Sequence, residues 1–181
     1  MKKIFLLTFL IFATALSVNS QINESEIQFF FLNPLKQKKP QNICKTDACK
    51  ILLKNINSAK ESIDFAIYGI NEQDKIFNAL VKAQKRGVDV KIIVDESSVE
   101  GKYVDIDFMK NNGLSVKVEN WAGKMHMKSM IIDDETLIIG SMNFTKQGER
   151  MNDENCLIIK SSPKLARDYK EHFLVLWNSI K

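Results

Sequence analysis

The chain reads as an α/β protein, with a mixed, mainly parallel central sheet flanked by helices. Three observations carry that expectation. Apolar residues recur at helical spacing in several separate stretches. Between those stretches lie short β-branched runs bounded by turn residues. A length of 181 residues with 45% apolar content fits one domain around a single core.

Taken in order, residues 46–58 place Ile51, Leu52, Leu53 and Ile56 on one helical face, and a strand follows over 63–68. Residues 71–86 form an amphipathic helix through Ile76, Phe77, Leu80 and Val81, stopped by Gly87 where a helix C-cap expects glycine. Residues 88–94 are a buried strand, 105–112 a short helix ended by Gly113, and 114–118 another strand. Residues 155–160 give a further strand. Pro163 then opens a last helix over 164–180, with Ala166, Tyr169, Phe173 and Trp177 on one face. His172 falls in that helix, where packing is its ordinary role.

The first 45 residues differ from this pattern. Lys2 and Lys3 precede an apolar run from Ile4 to about Val18, with Val18-Asn19-Ser20 as a small-residue cleavage site. Residues 1–20 have the form of a secretory signal peptide, and the expected destination is export to the periplasm or medium. An uncleaved inner-membrane anchor competes with that reading, although the run falls short of the roughly 20 residues a spanning helix wants. Residues 21–45 form an N-terminal arm or edge strand around Phe29, Phe30 and Phe31, with a solvated linker as the alternative. The domain proper spans 46–181. Without the leader, 24 basic residues face 22 acidic ones, a net charge of +2 that does not by itself call for nucleic acid.

Export changes how the cysteines read. Cys44 and Cys49 lie close together in a polar segment, so an oxidising compartment favours a local disulfide. A metal half-site is the alternative, but no second Cys/His pair completes it. Cys156 sits in an apolar run and reads as a buried thiol.

The chemistry concentrates in residues 126–143, HMKSMIIDDETLIIGSMN. His126 and Lys128 are two apart in a strand-like run and share a face. Asp133-Asp134-Glu135-Thr136 is turn chemistry before a second β-branched run, so the segment reads as an antiparallel hairpin. A loop of Asp134-Glu135 would set Lys128 opposite Ser141 and His126 opposite Asn143, converging an imidazole, an ammonium, a hydroxyl and a carboxamide. That set suits a phosphodiester: Lys and Asn donate to its oxygens, while His attacks phosphorus or protonates a leaving oxygen.

The pattern His126-x-Lys128-x4-Asp133-x6-Gly140-Ser141-x-Asn143 resembles the HKD motif of the phospholipase D superfamily. Phe144-Thr145 and Asn152-Asp153-Glu154-Asn155 extend the likeness to small single-motif bacterial endonucleases, over roughly Cys49 to Trp177. The resemblance implies a catalytic set of His126, Lys128, Asp133, Asn143 and Glu154. Glu154 takes the position whose carboxylate hydrogen-bonds the histidine, and Asp133 supports the site structurally. Lys128, Ser141 and Asn143 would bind the substrate phosphate, with no metal or other cofactor required.

Superfamily members generally bring two such motifs to one site. This chain has one, which implies a homodimer sharing its active site through two His126 side chains. Lys124, Lys146 and Arg150 flank the motif as candidate nucleic-acid contacts, and Trp121 could stack a base. The implied function is a sequence-nonspecific, metal-independent endonuclease acting on DNA or RNA through a phosphohistidine. A lipid phosphodiesterase of the phospholipase or cardiolipin-hydrolase kind is the alternative. A silent nucleic-acid-binding module is disfavoured because every catalytic position is filled.

Overall fold

The computed structural model describes residues 26–32, 44, 46–70, 75–101 and 104–181, without the side chains of Leu32, Lys146 and Arg150. The leader, and the part of the arm preceding and following residues 26–32, lie outside these. Strand β1 (Glu26–Leu32) lies at one edge of the sheet. It is followed by α1 (Asp47–Ser58), β2 (Ser62–Ile67), α2 (Lys75–Lys85), β3 (Asp89–Asp95), α3 (Glu96–Glu100) and α4 (Ile106–Asn111). Then come β4 (Ser115–Glu119), β5 (Lys128–Ile132), β6 (Thr136–Gly140), α5 (Lys146–Arg150), β7 (Glu154–Lys160) and α6 (Pro163–Ser179).

The seven strands form one sheet in the order β1-β7-β6-β5-β2-β3-β4. It is mixed, as expected, but its parallel part is confined to β2-β3-β4; the other pairings are antiparallel. The reason lies in the connections. The crossovers through α2 and through α3 and α4 carry the chain back to start the next strand in the same direction, whereas the tight β5–β6 turn reverses it.

Alternation along the strands sorts the core into two layers. Ile63, Phe65 and Ile67 of β2, with Val90, Ile92 and Val94 of β3, point to the side of α1 and α2. Ala66, Ile93 and Ile131 point to the other side, where Ala166, Phe173 and Leu176 of α6 cover them. In β5 the even residues Met130 and Ile132 join the first layer, and Lys128 follows the same parity.

The β5–β6 hairpin differs from its expected register by one residue. Asp133 and Asp134 both adopt positive φ, 53° and 55°, and the Glu135 N–H donates to Ile132 O at 3.1 Å. Left-handed backbone at both central positions is the turn that matches strand twist. Glu135 is then an added residue, and Ile132 pairs with Thr136. Continuing that register sets Lys128 opposite Gly140, so the expected Lys128–Ser141 and His126–Asn143 pairs do not form.

Asp133 itself lies at the far end of β5 from His126. Its carboxylate accepts the N–H groups of Lys60 (2.9 Å), Glu61 (2.8 Å) and Ser62 (3.1 Å), and its own N–H donates to Ser62 O at 3.0 Å. The five residues of β5, with Met127, separate it from His126. Its structural support is a clamp on the start of β2, at the end of the strand remote from His126.

Cys44 and Cys49 are joined by a disulfide, their Cα atoms 5.0 Å apart. The buried carboxylate of Glu149 accepts the Cys44 N–H at 2.9 Å. The bridge is thereby fastened to α5, just after Asn143. Cys156 is buried, and burial pushes its thiol up to about 11, which leaves it protonated and unreactive.

Replacing Asp133 with alanine leaves three backbone donors without this acceptor and should lower stability by about 1–3 kcal/mol. Thermal unfolding of Asp133→Ala should show that loss, while kcat of the folded fraction stays within a few-fold of the unsubstituted protein.

Candidate active site

The catalytic candidates meet around a residue that the motif does not contain, Tyr68. It follows β2 directly, and β2 pairs with β5 so that Ile67 faces Lys128. The Tyr68 ring meets the His126 ring edge-on at 4.9 Å between centroids. Lys128 Nζ lies 5.3 Å from the same ring and Lys124 Nζ 5.8 Å. Lys124 and His126, on the segment leading into β5, and Lys128, its first residue, thus share one aromatic neighbour.

Lys128 is only 8% exposed. Its ammonium donates to the His126 carbonyl at 2.7 Å, which fixes the backbone carrying the imidazole. Burial holds its pKa below the ordinary lysine value, and the negative charge of Glu154 opposes that shift.

His126 is exposed, and its pKa is also held down. Partial desolvation is the largest cause, followed by the charges of Lys128 and Lys124; Asp95 and Glu154 pull the other way. A lowered pKa keeps a free nitrogen lone pair available near neutrality, the form a nucleophilic imidazole needs.

Asn143 enters from the loop after β6. Its Oδ1 accepts the Gly69 N–H at 3.1 Å, so the amide turns its NH₂ outward as a donor. The Phe144 N–H in turn donates to Gly69 O at 2.9 Å, stitching this loop to the end of β2. Tyr68, Gly69 and Asn143 then line one cavity of about 250 Å³ with Thr145, Gln147 and Asn152.

Two expected roles change. Ser141 Oγ donates to Glu154 and accepts the Asn155 N–H at 3.1 Å. Its single proton is spent, so it orients Glu154 instead of binding a phosphate. Glu154 was expected to hydrogen-bond the histidine. Among the described residues its oxygens accept from Ser141 and from Asn152 Nδ2, the latter at 2.9 Å, and it reaches His126 and Lys128 by charge alone.

Asp95 was not expected. It ends β3, is 3% exposed, and accepts the Met125 N–H at 2.7 Å, next to His126. Burial alone would raise its pKa. Hydrogen bonds from Ser97 and the Met125 N–H, with the charge of Lys124, outweigh that and hold the carboxyl below the ordinary range. It also caps α3 through the Ser97 N–H at 2.9 Å, and Ser97 reaches the Tyr68 hydroxyl at 3.2 Å. The sequence signal is an aspartate at a strand's end before Glu-Ser-Ser, which reads as a helix cap and nothing more.

Trp121 is 52% exposed at the site's border, and Lys124 stands over Tyr68. The side chains of Lys146 and Arg150 fall outside the described residues.

A family model described as cardiolipin synthase, PLD-like domain, matches residues 52–177. The chain belongs to the phospholipase D superfamily. It is 31% identical over 155 residues to a phospholipase D of Rickettsia bellii, covering 86% of this chain and 71% of that protein. It is 29% identical over 157 residues to a mitochondrial cardiolipin hydrolase of Chlamydomonas reinhardtii, covering 82% and 70%. Among solved structures it resembles Nuc of Salmonella typhimurium, a phospholipase D family member. That match has a TM-score of 0.73 and 34% identity over 87% of this chain and 97% of that one. NucT of Helicobacter pylori matches with a TM-score of 0.72 and 27% identity, over 87% and 98%. Fold and family together make the protein a phosphodiesterase of the phospholipase D superfamily.

Because Lys124 depresses the pKa of His126, Lys124→Ala should raise it. Proton NMR titration of the His126 ring should place the unsubstituted protein below an unperturbed histidine, and the variant closer to it. Glu154→Gln should shift the ring the other way.

Proposed function

We propose that this phosphodiesterase is an endonuclease, cutting DNA or RNA without an extended recognition sequence and without a metal ion. The observation that carries this reading is the meeting at Tyr68: its ring touches an imidazole of lowered pKa and lies near a buried ammonium, and the same residue lines a small polar cavity with the Asn143 amide. An imidazole nitrogen of His126 attacks phosphorus, and the bond to the leaving oxygen breaks. Lys128 and Asn143 hold the phosphoryl oxygens as negative charge builds on them. The likeness to Nuc and NucT supports nucleic acid as the substrate, as does Lys124 beside the site. The relatives named phospholipase D and cardiolipin hydrolase support a second reading, the same chemistry on a phospholipid.

The two-step reaction also needs an acid on the far side of phosphorus. We place it on the partner subunit's His126, in a homodimer that shares one site. It gives its proton to the leaving oxygen, then takes one from the water that hydrolyses the phosphohistidine. An uncovered apolar row supports a subunit contact: Phe29 and Phe31 of β1 are 68% and 79% exposed, and they border a cavity with Gly140 and Asn155, next to Glu154.

Purified protein should nick supercoiled plasmid equally well with and without excess EDTA, and His126→Ala should not. Hydrolysis of cardiolipin or phosphatidylcholine vesicles with the plasmid left intact would instead establish the lipid reading. Mixing excess His126→Ala with unsubstituted protein, once subunits exchange, should depress activity beyond dilution. Activity falling only in proportion to dilution would exclude the shared site.

A further inference from the structure

A nucleophilic imidazole has to aim one nitrogen at phosphorus, and basicity alone does not aim it. His126 is exposed and sits two residues before β5 begins. A ring in that place keeps its rotamer freedom unless its neighbours remove it.

Asp95, the last residue of β3, restrains it along two routes. Its Oδ2 accepts the Met125 N–H at 2.7 Å, one residue before His126. Its Oδ1 accepts the Ser97 N–H at 2.9 Å and also the Ser97 hydroxyl. A serine hydroxyl has one proton, and an ionised carboxylate can only accept. That proton therefore goes to Asp95, and in the 3.2 Å contact between Ser97 and Tyr68 the phenol is the donor. The result is a directed chain from Tyr68 to Ser97 to Asp95. It pins the hydroxyl end of the ring that meets His126 edge-on.

Both oxygens of Asp95 are thus taken by donors of this chain, and at 3% exposure the residue does not touch a substrate. Capping α3 would need the Ser97 N–H alone. The remaining bonds, to Met125 and through the Ser97 hydroxyl to Tyr68, both lead to His126.

We propose that Asp95 is a positioning residue for phosphoryl transfer, setting the backbone of His126 through Met125 and the orientation of its ring through Ser97 and Tyr68. The proposal rests on His126 as the nucleophile and is the same for a nucleic-acid or a lipid diester. A misaimed imidazole leaves Lys128 and Asn143 in place to hold the phosphate, so the loss falls on kcat and spares KM.

The test is steady-state nicking of supercoiled plasmid by the full chain. Each variant is read at its own pH optimum, because losing the Asp95 charge also moves the ionisation of His126, while Lys124, Lys128 and Glu154 act on it as before. Asp95→Asn should lower kcat about 10- to 100-fold, with KM changed less than about twofold. Ser97→Ala and Tyr68→Phe each cut the chain and should lower kcat several-fold. The double variant should be no slower than the poorer single one, since both break the same chain. Ser97→Thr keeps the hydroxyl and should retain the rate that Ser97→Ala loses. A second measurement needs no substrate: nuclear Overhauser effects between the Tyr68 and His126 rings should weaken in Asp95→Asn.

Unchanged kcat in folded Asp95→Asn would overturn the positioning role, as would unchanged ring-to-ring effects. Should that variant not fold, full activity of both Ser97→Ala and Tyr68→Phe decides against it. Full activity of His126→Ala would remove the nucleophile itself, and this proposal with it. Turnover of phospholipid vesicles with the plasmid intact would remove only the nuclease reading, and the same variants read on vesicles then decide the role of Asp95.

Discussion

The antiparallel ladder between β2 and β5 is the constraint on which the site depends, and the Asp133 carboxylate closes one end of it. That carboxylate takes three successive N–H groups at the start of β2 and so ties that strand to the turn that follows β5. Were the ladder to slip by one residue, Lys128 would move to the α6 side and into a hydrophobic layer. At the other end of the same ladder Ile67 faces Lys128, which brings Tyr68 against His126. The acidic turn thus fastens the end of the ladder remote from the site, and its contribution is to the stability of the pairing.

The chemistry sits where this topology leaves room. β2 has an antiparallel neighbour on one side and a parallel neighbour on the other, and the crevice beyond its carboxyl end is the usual place for a ligand in such sheets. Tyr68 and Asp95 stand at or just past the ends of β2 and β3, while Lys128 and Glu154 begin the antiparallel β5 and β7. The electrostatics follow from this crowding. His126 lies between two ammonium groups that disfavour its protonation and two carboxylates that favour it, so neighbours of either sign tune it.

Strand and helix positions were legible because each longer element carries its own periodicity; α1, α2 and α6 bury the apolar faces expected of them. The single-turn helices α3 and α5 were not, since five residues are too few to display a period. In the motif, the shared face of His126 and Lys128 was readable from their spacing. The hairpin register was not, because it turns on whether Asp133 or Asp134 opens the loop, and aspartate tolerates left-handed backbone at either place. Tyr68 and Asp95 reach the site only through sheet pairing and the folding back of the loop after β4. Nothing in their local sequence separates them from ordinary strand ends. Ser141 was misjudged for a related reason: a hydroxyl has one proton, and only the folded chain reveals that Glu154 receives it.

The placement of β1 has a mechanical consequence. It runs antiparallel to β7, with Glu26 against Lys160 and Leu32 against Glu154. A load drawn through the N-terminus therefore meets the ladder at the end remote from Glu154, and would open its bonds one after another like a zipper. Glu154 would be the last to feel the pull. A tether at the front of this chain could bear tension through several broken pairs before any strain arrived at the residue that steadies Ser141 and balances the charge of Lys128.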